Sequence, residues 1–191
     1  MVSLDRSVID RARRGDPDAF ETMWRAFQPH LLRSLRARRV RDAEDVASDV
    51  WMDVAASLAR LDGDRELTDE DVRRLVFTIA HRRGVDAVRR SVRRREVVTD
   101  VPPTAAVPDA AEHHEASDSL DRALAEVRRL PPNMAEVVIL RIVHDLPVCD
   151  VAEITGLSEG NVRVLVHRGL SRLASKKSVT ETRPATMFQV P

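Results

Sequence analysis

The stretch PVCDVAEITGLSEGNVRVLVHRGLSRL, from Pro147 to Leu173, reads as two short helices joined by a tight turn. Pro147 opens the first, where a missing N–H costs nothing. Gly156 suits the left-handed position just past its end, and Leu157 supplies the apolar contact that accompanies such a cap. Ser158 then fits the N-cap of the second helix. In that helix Val162, Leu165, Val166, Leu170 and Leu173 recur at three- and four-residue steps and predict one buried face. Ser158, Gly160, Asn161, Arg163, Val164, His167, Arg168 and Arg172 remain on the turn and the outer side. Asn and Arg on an exposed helix are the side chains that read base edges and hold phosphates. The stretch predicts a helix-turn-helix that binds DNA; an ordinary amphipathic helix pair is the plainer alternative.

Working outward, charge is distributed unevenly. The 31 basic and 31 acidic residues cancel over the whole chain. Residues 1–95 hold 21 basic and 17 acidic side chains, residues 96–121 hold 7 acidic and none basic, and residues 122–191 hold 10 basic and 7 acidic. Two mildly basic blocks therefore flank an acidic strip, which points to nucleic-acid contact by the blocks and not by the chain as a whole. Cys149 is the single cysteine, so no internal disulfide can form and a reducing compartment is natural. No apolar run approaches the ~18 residues of a membrane span, and the first residues lack a signal-peptide core. The expectation is a soluble, cytoplasmic protein.

The pattern is helical nearly throughout, which predicts an all-α chain. A first helix spans about Ser3 to Arg14 and stops at Gly15. Asp16-Pro17 starts a second that carries Phe20, Met23, Trp24 and Phe27 inward, with a break or kink expected at Pro29. In the third, Val46, Ala47, Val50, Trp51, Val54, Ala55 and Leu58 form a broad apolar stripe. Asp45, Asp49 and Asp53 stand opposite at four-residue spacing. Like charges so placed cost roughly 0.2–0.5 kcal/mol per pair, so the row needs a basic partner or remains a solvated face. Thr68, followed by Asp69, Glu70 and Asp71, opens a fourth helix. From His81 to Arg95 this helix carries seven arginines and one acid, Asp86. That density favours phosphate binding with counterion release over simple solvation.

Residues 97–117 contain three prolines, several alanines and acids without period, and read as a flexible acidic linker. His113 and His114 within it lack a metal-ligand spacing, so no metal is expected. Helices resume at Asp118, with Leu120, Leu124, Val127 and Leu130 on one face. After Pro131-Pro132 a further helix buries Met134, Val137, Val138, Leu140, Ile142 and Val143. Residues 178–191 read as a disordered tail.

Four stretches in this order carry a family resemblance: GDPDAFETMWRAFQP, RDAEDVASDVWMDV, LVFTIAHRRGVDAVRR, and LPPNMAEVVILRIVHDLPVCDVAEITGLSEGNVRVLVHRGLSRL. Together they resemble the extracytoplasmic-function sigma factors of bacterial RNA polymerase. The resemblance implies two small helical domains, residues 1–96 (region 2) and 118–177 (region 4), joined by the linker. It implies that Asp42, Glu44, Asp45, Ser48, Asp49 and Asp53 dock on the clamp helices of core polymerase. It assigns −10 element contacts to Arg73, Arg74, His81, Arg82, Arg83, Arg89, Arg90, Arg93 and Arg94, with a flipped base captured beside the loop after Gly63. It assigns −35 element contacts to the outer face of the second helix-turn-helix helix, whose domain also rests on the polymerase flap. Members of the family are commonly held inactive by an anti-sigma factor. No cofactor or small-molecule substrate is implied.

The sequence departs from the family at Ser48, at Leu75-Val76, at His81-Arg82, and at Asn161, Val164 and Leu165, so its promoter sequence cannot be borrowed from a relative. There is no tyrosine, and Phe77 is the only aromatic of the Arg-rich helix. Stacking of unpaired bases on several aromatics, ~1–3 kcal/mol each, is therefore not available there. Few promoters, opened on a strict match, are expected. An autonomous dimeric helix-turn-helix regulator would need a dimerisation helix, and no heptads are seen. A decoy that binds polymerase without a promoter is a further alternative. An enzyme is disfavoured, because no nucleophile triad, phosphate-binding glycine loop or metal set is present.

Overall fold

The structure, a computed structural model, describes residues 4–61, 66–97 and 115–181, with side chains described for 4–61, 66–93 and 122–175. These residues form eight α-helices and one π-helical turn, with no strand among them. The helices are α1 (Arg6–Arg13), α2 (Pro17–Ala37), α3 (Ala43–Arg60), α4 (Asp69–Val97), α5 (Glu115–Arg128), α6 (Pro132–Val138), α7 (Val148–Thr155) and α8 (Glu159–Glu181), and the π turn is Ile139–Val143.

The starts and stops are chemical. Asp5 caps α1, accepting from the Ser7 N–H at 2.7 Å. Asp16 caps α2, accepting from the N–H groups of Asp18 and Ala19 at 3.0 and 3.2 Å, with Pro17 first inside. Thr68 and Asp71 cap α4 reciprocally: the Asp71 N–H donates to the Thr68 hydroxyl, and the Thr68 N–H donates to the Asp71 carboxylate at 3.0 Å. At the end of α2, Arg39 takes φ 60°, and the Val40 N–H closes a bond to Leu35 O at 3.2 Å. A glycine normally fills that left-handed position.

Three expectations are corrected. Helix α2 runs unbroken through Pro29. Proline inside a helix costs ~3 kcal/mol. Met23 and Phe27 before it and Leu31 and Leu35 after it are all buried on one face. Each such side chain contributes ~1.5–3 kcal/mol, which holds the helix together. Trp24, Ile142 and Leu170 are exposed, not buried. Ile142 sits in the π turn, whose wider winding rotates it outward. In α8 the inner stripe runs Val162, Leu165, Val166, Gly169, Leu173, so Leu170 falls on its flank. Two boundaries also differ: α5 begins at Glu115, inside the expected linker, and α8 extends to Glu181, into the expected tail. The loop after Gly63, the prolines of the linker, His113 and His114, and residues 182–191 lie outside the described residues.

Helices α1–α4 enclose one core, built from Ile9, Met23, Phe27, Leu31, Val50, Trp51, Val54, Val72 and Val76 among others. Helices α5–α8 do not enclose a wholly separate one. Ala37 of α2 joins the cluster of Leu124, Val127, Leu130, Met134 and Val138. Phe77 of α4 joins Val137, Leu140, Leu146, Val151, Ile154 and Val162. The two helical units therefore pack against each other, with α2 and α4 forming the floor for the second.

Candidate nucleic-acid and polymerase interface

The acidic face of α3 is solvent-facing. Asp42, Asp45, Ser48 and Asp49 are exposed, and none of the three aspartates forms a direct ion pair among the described residues. Glu44 is held by Arg36 at 2.5 Å, and that hydrogen bond keeps its carboxyl below the usual value. Asp53 accepts from Arg83 Nε at 2.6 Å and Nη2 at 2.7 Å, a bidentate pair that lowers the Asp53 pKa. A residue expected at polymerase and a residue expected at DNA thus meet each other here. Between them lies a cleft of about 460 Å³ lined by Asp53, Ser57, Arg60, Arg82, Arg83 and Asp86. The sequence reading passed over Met52, which is 74% exposed amid this acidic row. Its signal was available: an apolar residue four positions from Ser48 and three from Asp49, off the buried stripe.

Besides the Arg83–Asp53 pair, the basic side chains of the Arg-rich helix α4 meet different surroundings. Arg73 turns inward, 6% exposed, and pairs with Asp69 one turn earlier. Arg74 and His81 face the second helical unit. Arg74 lies 3.5 Å from Asp71 and 3.8 Å from Glu153 of α7. His81 Nδ1 lies 2.9 Å from Glu136 Oε1 of α6 and 2.9 Å from Arg38 Nη1. Arg82, Arg89, Arg90 and Arg93 point to solvent. Arg94 lies on the same helix, its side chain outside the described set. A smaller cleft of about 200 Å³, lined by Leu58, Leu61, Leu67, Arg74, Leu75 and Thr78, is closed on one side by Glu153.

The helix-turn-helix is α7 and α8. Gly156 takes φ 69° at the end of α7, and the Leu157 N–H bonds back to Ala152 O at 3.1 Å. Pro147 stands one position outside the helix as its N-cap residue. Ser158 Oγ accepts from the Asn161 N–H at 3.3 Å. Gly160, Asn161, Arg163, Val164, His167, Arg168 and Arg172 are exposed along one side of α8. Arg163 pairs with Glu159 at 2.6 Å on that surface, a contact that water and salt screen. The inner side of α8 is fixed by a close approach: a Cβ on Gly169 would stand 2.6 Å from Val138 Cγ2.

Two clusters join the helical units. Glu136, 3% exposed, bonds both Arg38, the C-cap residue of α2, and His81 of α4. Burial pushes its carboxyl up, but the bonds from His81 and Arg38 outweigh this and hold it below the usual value. His144, 2% exposed, stacks on Phe77 with ring centroids 4.2 Å apart. Its Nδ1 lies 3.2 Å from His30 Nδ1, and its Nε2 is buried without a partner among the described residues. Burial first, then His30, Arg33 and Arg73, hold His144 well below the ordinary imidazole value.

Residues 120–173 match the family model described as Sigma-70, region 4. The chain is 31% identical to the ECF RNA polymerase sigma factor ShbA of Streptomyces griseus, across 87% of this chain and 92% of that one. It is 30% identical to the ECF RNA polymerase sigma factor SigD of Mycobacterium tuberculosis, across 87% and 81%. The fold matches CnrH, solved in complex with the cytosolic domain of CnrY, with a TM-score of 0.59 at 19% identity over 92% of this chain and 97% of that one. It also matches the sigma factor RpoE of Bartonella quintana, solved with the anti-sigma factor NepR, at 0.61 and 19% over 86% and 98%. With relatives at this identity matched over more than four-fifths of both chains, a region 4 match over the helix-turn-helix and the same fold, the chain belongs to the extracytoplasmic-function sigma factors of bacterial RNA polymerase.

Proposed function

We propose that this sigma factor divides its work between three surfaces. The acidic face of α3, with Asp42, Asp45, Ser48, Asp49 and the exposed Met52 at its centre, docks on core polymerase. An exposed apolar side chain ringed by charges fits a protein interface, where desolvated anchors carry most of the binding energy. Glu44 and Asp53, already paired within the chain, contribute by holding this face in shape. The exposed arginines of α4, namely Arg82, Arg89, Arg90 and Arg93, run along the −10 region, joined by Arg94, Arg74, His81 and Arg83. Arg73 serves the fold through Asp69. The outer side of α8, from Ser158 to Arg172, reads the −35 element.

The observation that carries this reading is the row of Asn161, Arg163, Val164, His167 and Arg168 on the free side of α8, with Arg172 at its edge reaching Met134 Sδ of α6. The turn at Gly156 and the tight seat at Gly169 hold it rigidly. Residues 1–96 and 118–177 act as the two promoter-binding units, and 97–117 links them through the polymerase. The protein recognises and opens promoters, and the polymerase performs the chemistry. No described helix is long and apolar enough to cross a membrane, and we place the protein in the cytoplasm with its polymerase. An anti-sigma factor is the regulator we expect, since CnrH and RpoE were each solved with a partner.

The test is in vitro transcription with bacterial core polymerase on the region upstream of this protein's own gene. Start sites that appear only with the protein support the reading. Failure to bind core would replace it with an autonomous DNA-binding regulator.

A further inference from the structure

Val164 is the apolar member of the outward row on α8, and it is 44% exposed. Its neighbours on the helix surface, three and four residues away, are Gly160, Asn161, His167 and Arg168, all exposed. Asn161, His167 and Arg168 are polar, so an apolar side chain sits among hydrogen-bonding and charged ones. Local propensity does not call for it, because a β-branched side chain loses χ1 freedom in a helix.

The fold does not call for glycine at position 160 either. Gly15 and Gly156 are the described glycines with positive φ, and Gly160 is not among them. A Cβ added to Gly160 would meet nothing within 4 Å, so no close approach inside the protein excludes a side chain. Glycine inside a helix is otherwise a loss of stability. The two residues stand one turn apart, and helical side chains lean toward the N-terminus. The methyl groups of Val164 therefore lie over the turn that Gly160 leaves bare. One external surface accounts for both residues: something that meets an apolar group here and comes close to the helix backbone.

The major groove offers one apolar group at base edges, the 5-methyl of thymine. Guanine, adenine and cytosine present donors and acceptors there, which a valine would leave unpaired. The single preferred rotamer of valine in a helix holds its methyls in one direction, so little freedom is lost on contact.

We propose that Val164, with Gly160 clearing the space before it, reads a thymine 5-methyl group and so selects thymine at one position of the −35 element. The inference deepens the reading of α8 as the −35 helix and rests on it. Burying one methyl group against an apolar partner shifts an equilibrium about fourfold.

The experiment uses the full chain assembled with bacterial core polymerase, on the region upstream of its own gene with the −35 positions randomised. Initiating sequences are selected, and each selected thymine on either strand is then replaced by uracil. That exchange removes the methyl group and keeps the O4 acceptor. The expected result is one thymine whose replacement lowers initiation about fourfold in the parent. Val164→Ser should initiate equally from thymine and uracil at that position. Gly160→Ala, which puts a methyl group on the bare turn, should shrink the difference while its urea midpoint is no lower than that of the parent. Uracil tolerated at every selected position, or the same loss persisting in Val164→Ser, overturns the proposal and leaves the −35 reading of α8 in place. Initiation with no base preference across the randomised positions overturns that reading and the proposal together. Failure of the chain to bind core overturns the sigma-factor reading itself, and this inference with it.

Discussion

Gly169→Ala sets two known effects against each other, and the structure says which wins. Alanine is favoured over glycine inside a helix by ~1 kcal/mol. Gly169 lies within α8, and its substitution would place a Cβ 2.6 Å from Val138 Cγ2, 3.3 Å from Met134 Cγ and 3.6 Å from Leu130 Cδ1. Carbon atoms settle at about 3.5–4.0 Å, so the first contact must open by roughly 1 Å. Val138 is 2% exposed and β-branched, with one strongly preferred rotamer in a helix. It cannot swing aside, so α6 and α8 must separate. Overpacking of this kind costs ~1–3 kcal/mol, which leaves a net loss of about 1 kcal/mol after the propensity gain. Gly160 is the control: nothing lies within 4 Å of its added Cβ, so Gly160→Ala should be neutral or stabilising by up to ~1 kcal/mol. Urea unfolding of the full chain, followed by circular dichroism, measures both. Val138→Ala should relieve the clash, so that the double variant costs less than the sum of the singles. If Gly169→Ala stabilises as much as Gly160→Ala does, α8 is not seated on α6 as described, and the placement of its DNA-reading side falls with it.

Other outcomes follow from single contacts. Charge reversal of Asp45 and Asp49 to lysine should weaken binding to core polymerase in a pull-down or titration while leaving the melting curve close to that of the parent; a lost fold instead would mean the face is not free. Arg163→Ala should cost roughly 1–3 kcal/mol at the correct promoter if the side chain takes a base edge, and an equal loss on every DNA sequence in a binding assay would make it a phosphate contact. Arg73→Ala should act mainly on stability, by about 3 kcal/mol, because it strands Asp69 beside the core; normal stability with lost DNA binding would reassign it to the promoter surface. The folded chain holds His144 and His30 below the ordinary imidazole value, His144 most, by burial and by Arg33 and Arg73. Below about pH 6.5 the unfolded imidazoles take up protons that the folded ones resist, so stability should be full above that pH and fall as the pH drops toward 5.5. A denaturation midpoint unchanged over that range would show that His144 is reached by water.

The local chemistry of this chain is legible in its sequence because it acts over a few residues. Asp16-Pro17 and Thr68 with Asp71 start helices where their side chains can reach free N–H groups one turn on. Gly156 and Ser158 fix the turn between α7 and α8 by the same short-range means. The apolar stripe of α3 and the outward row on α8 follow from the 3.6-residue period alone. The order of the four stretches carried the family. Where expectation and structure part, the deciding contact is distant in sequence. Pro29 does not break α2, because the face on either side of it is buried. Leu170 is displaced from the inner stripe because Gly169 lets α6 come close. Arg73, Arg83 and His81 look alike as members of an Arg-rich run. One is buried against Asp69, one is clasped by Asp53 thirty residues earlier, and one is shared with Glu136 fifty-five residues later. A charge count cannot separate them, since what a cation does depends on which carboxylate the fold brings within hydrogen-bond reach. The sequence by itself determined the helices, the helix-turn-helix and the family, all of them local or ordered along the chain. Only the tertiary structure decided which of its charges remain free and that its two units close on each other, because both depend on packing between helices far apart in sequence.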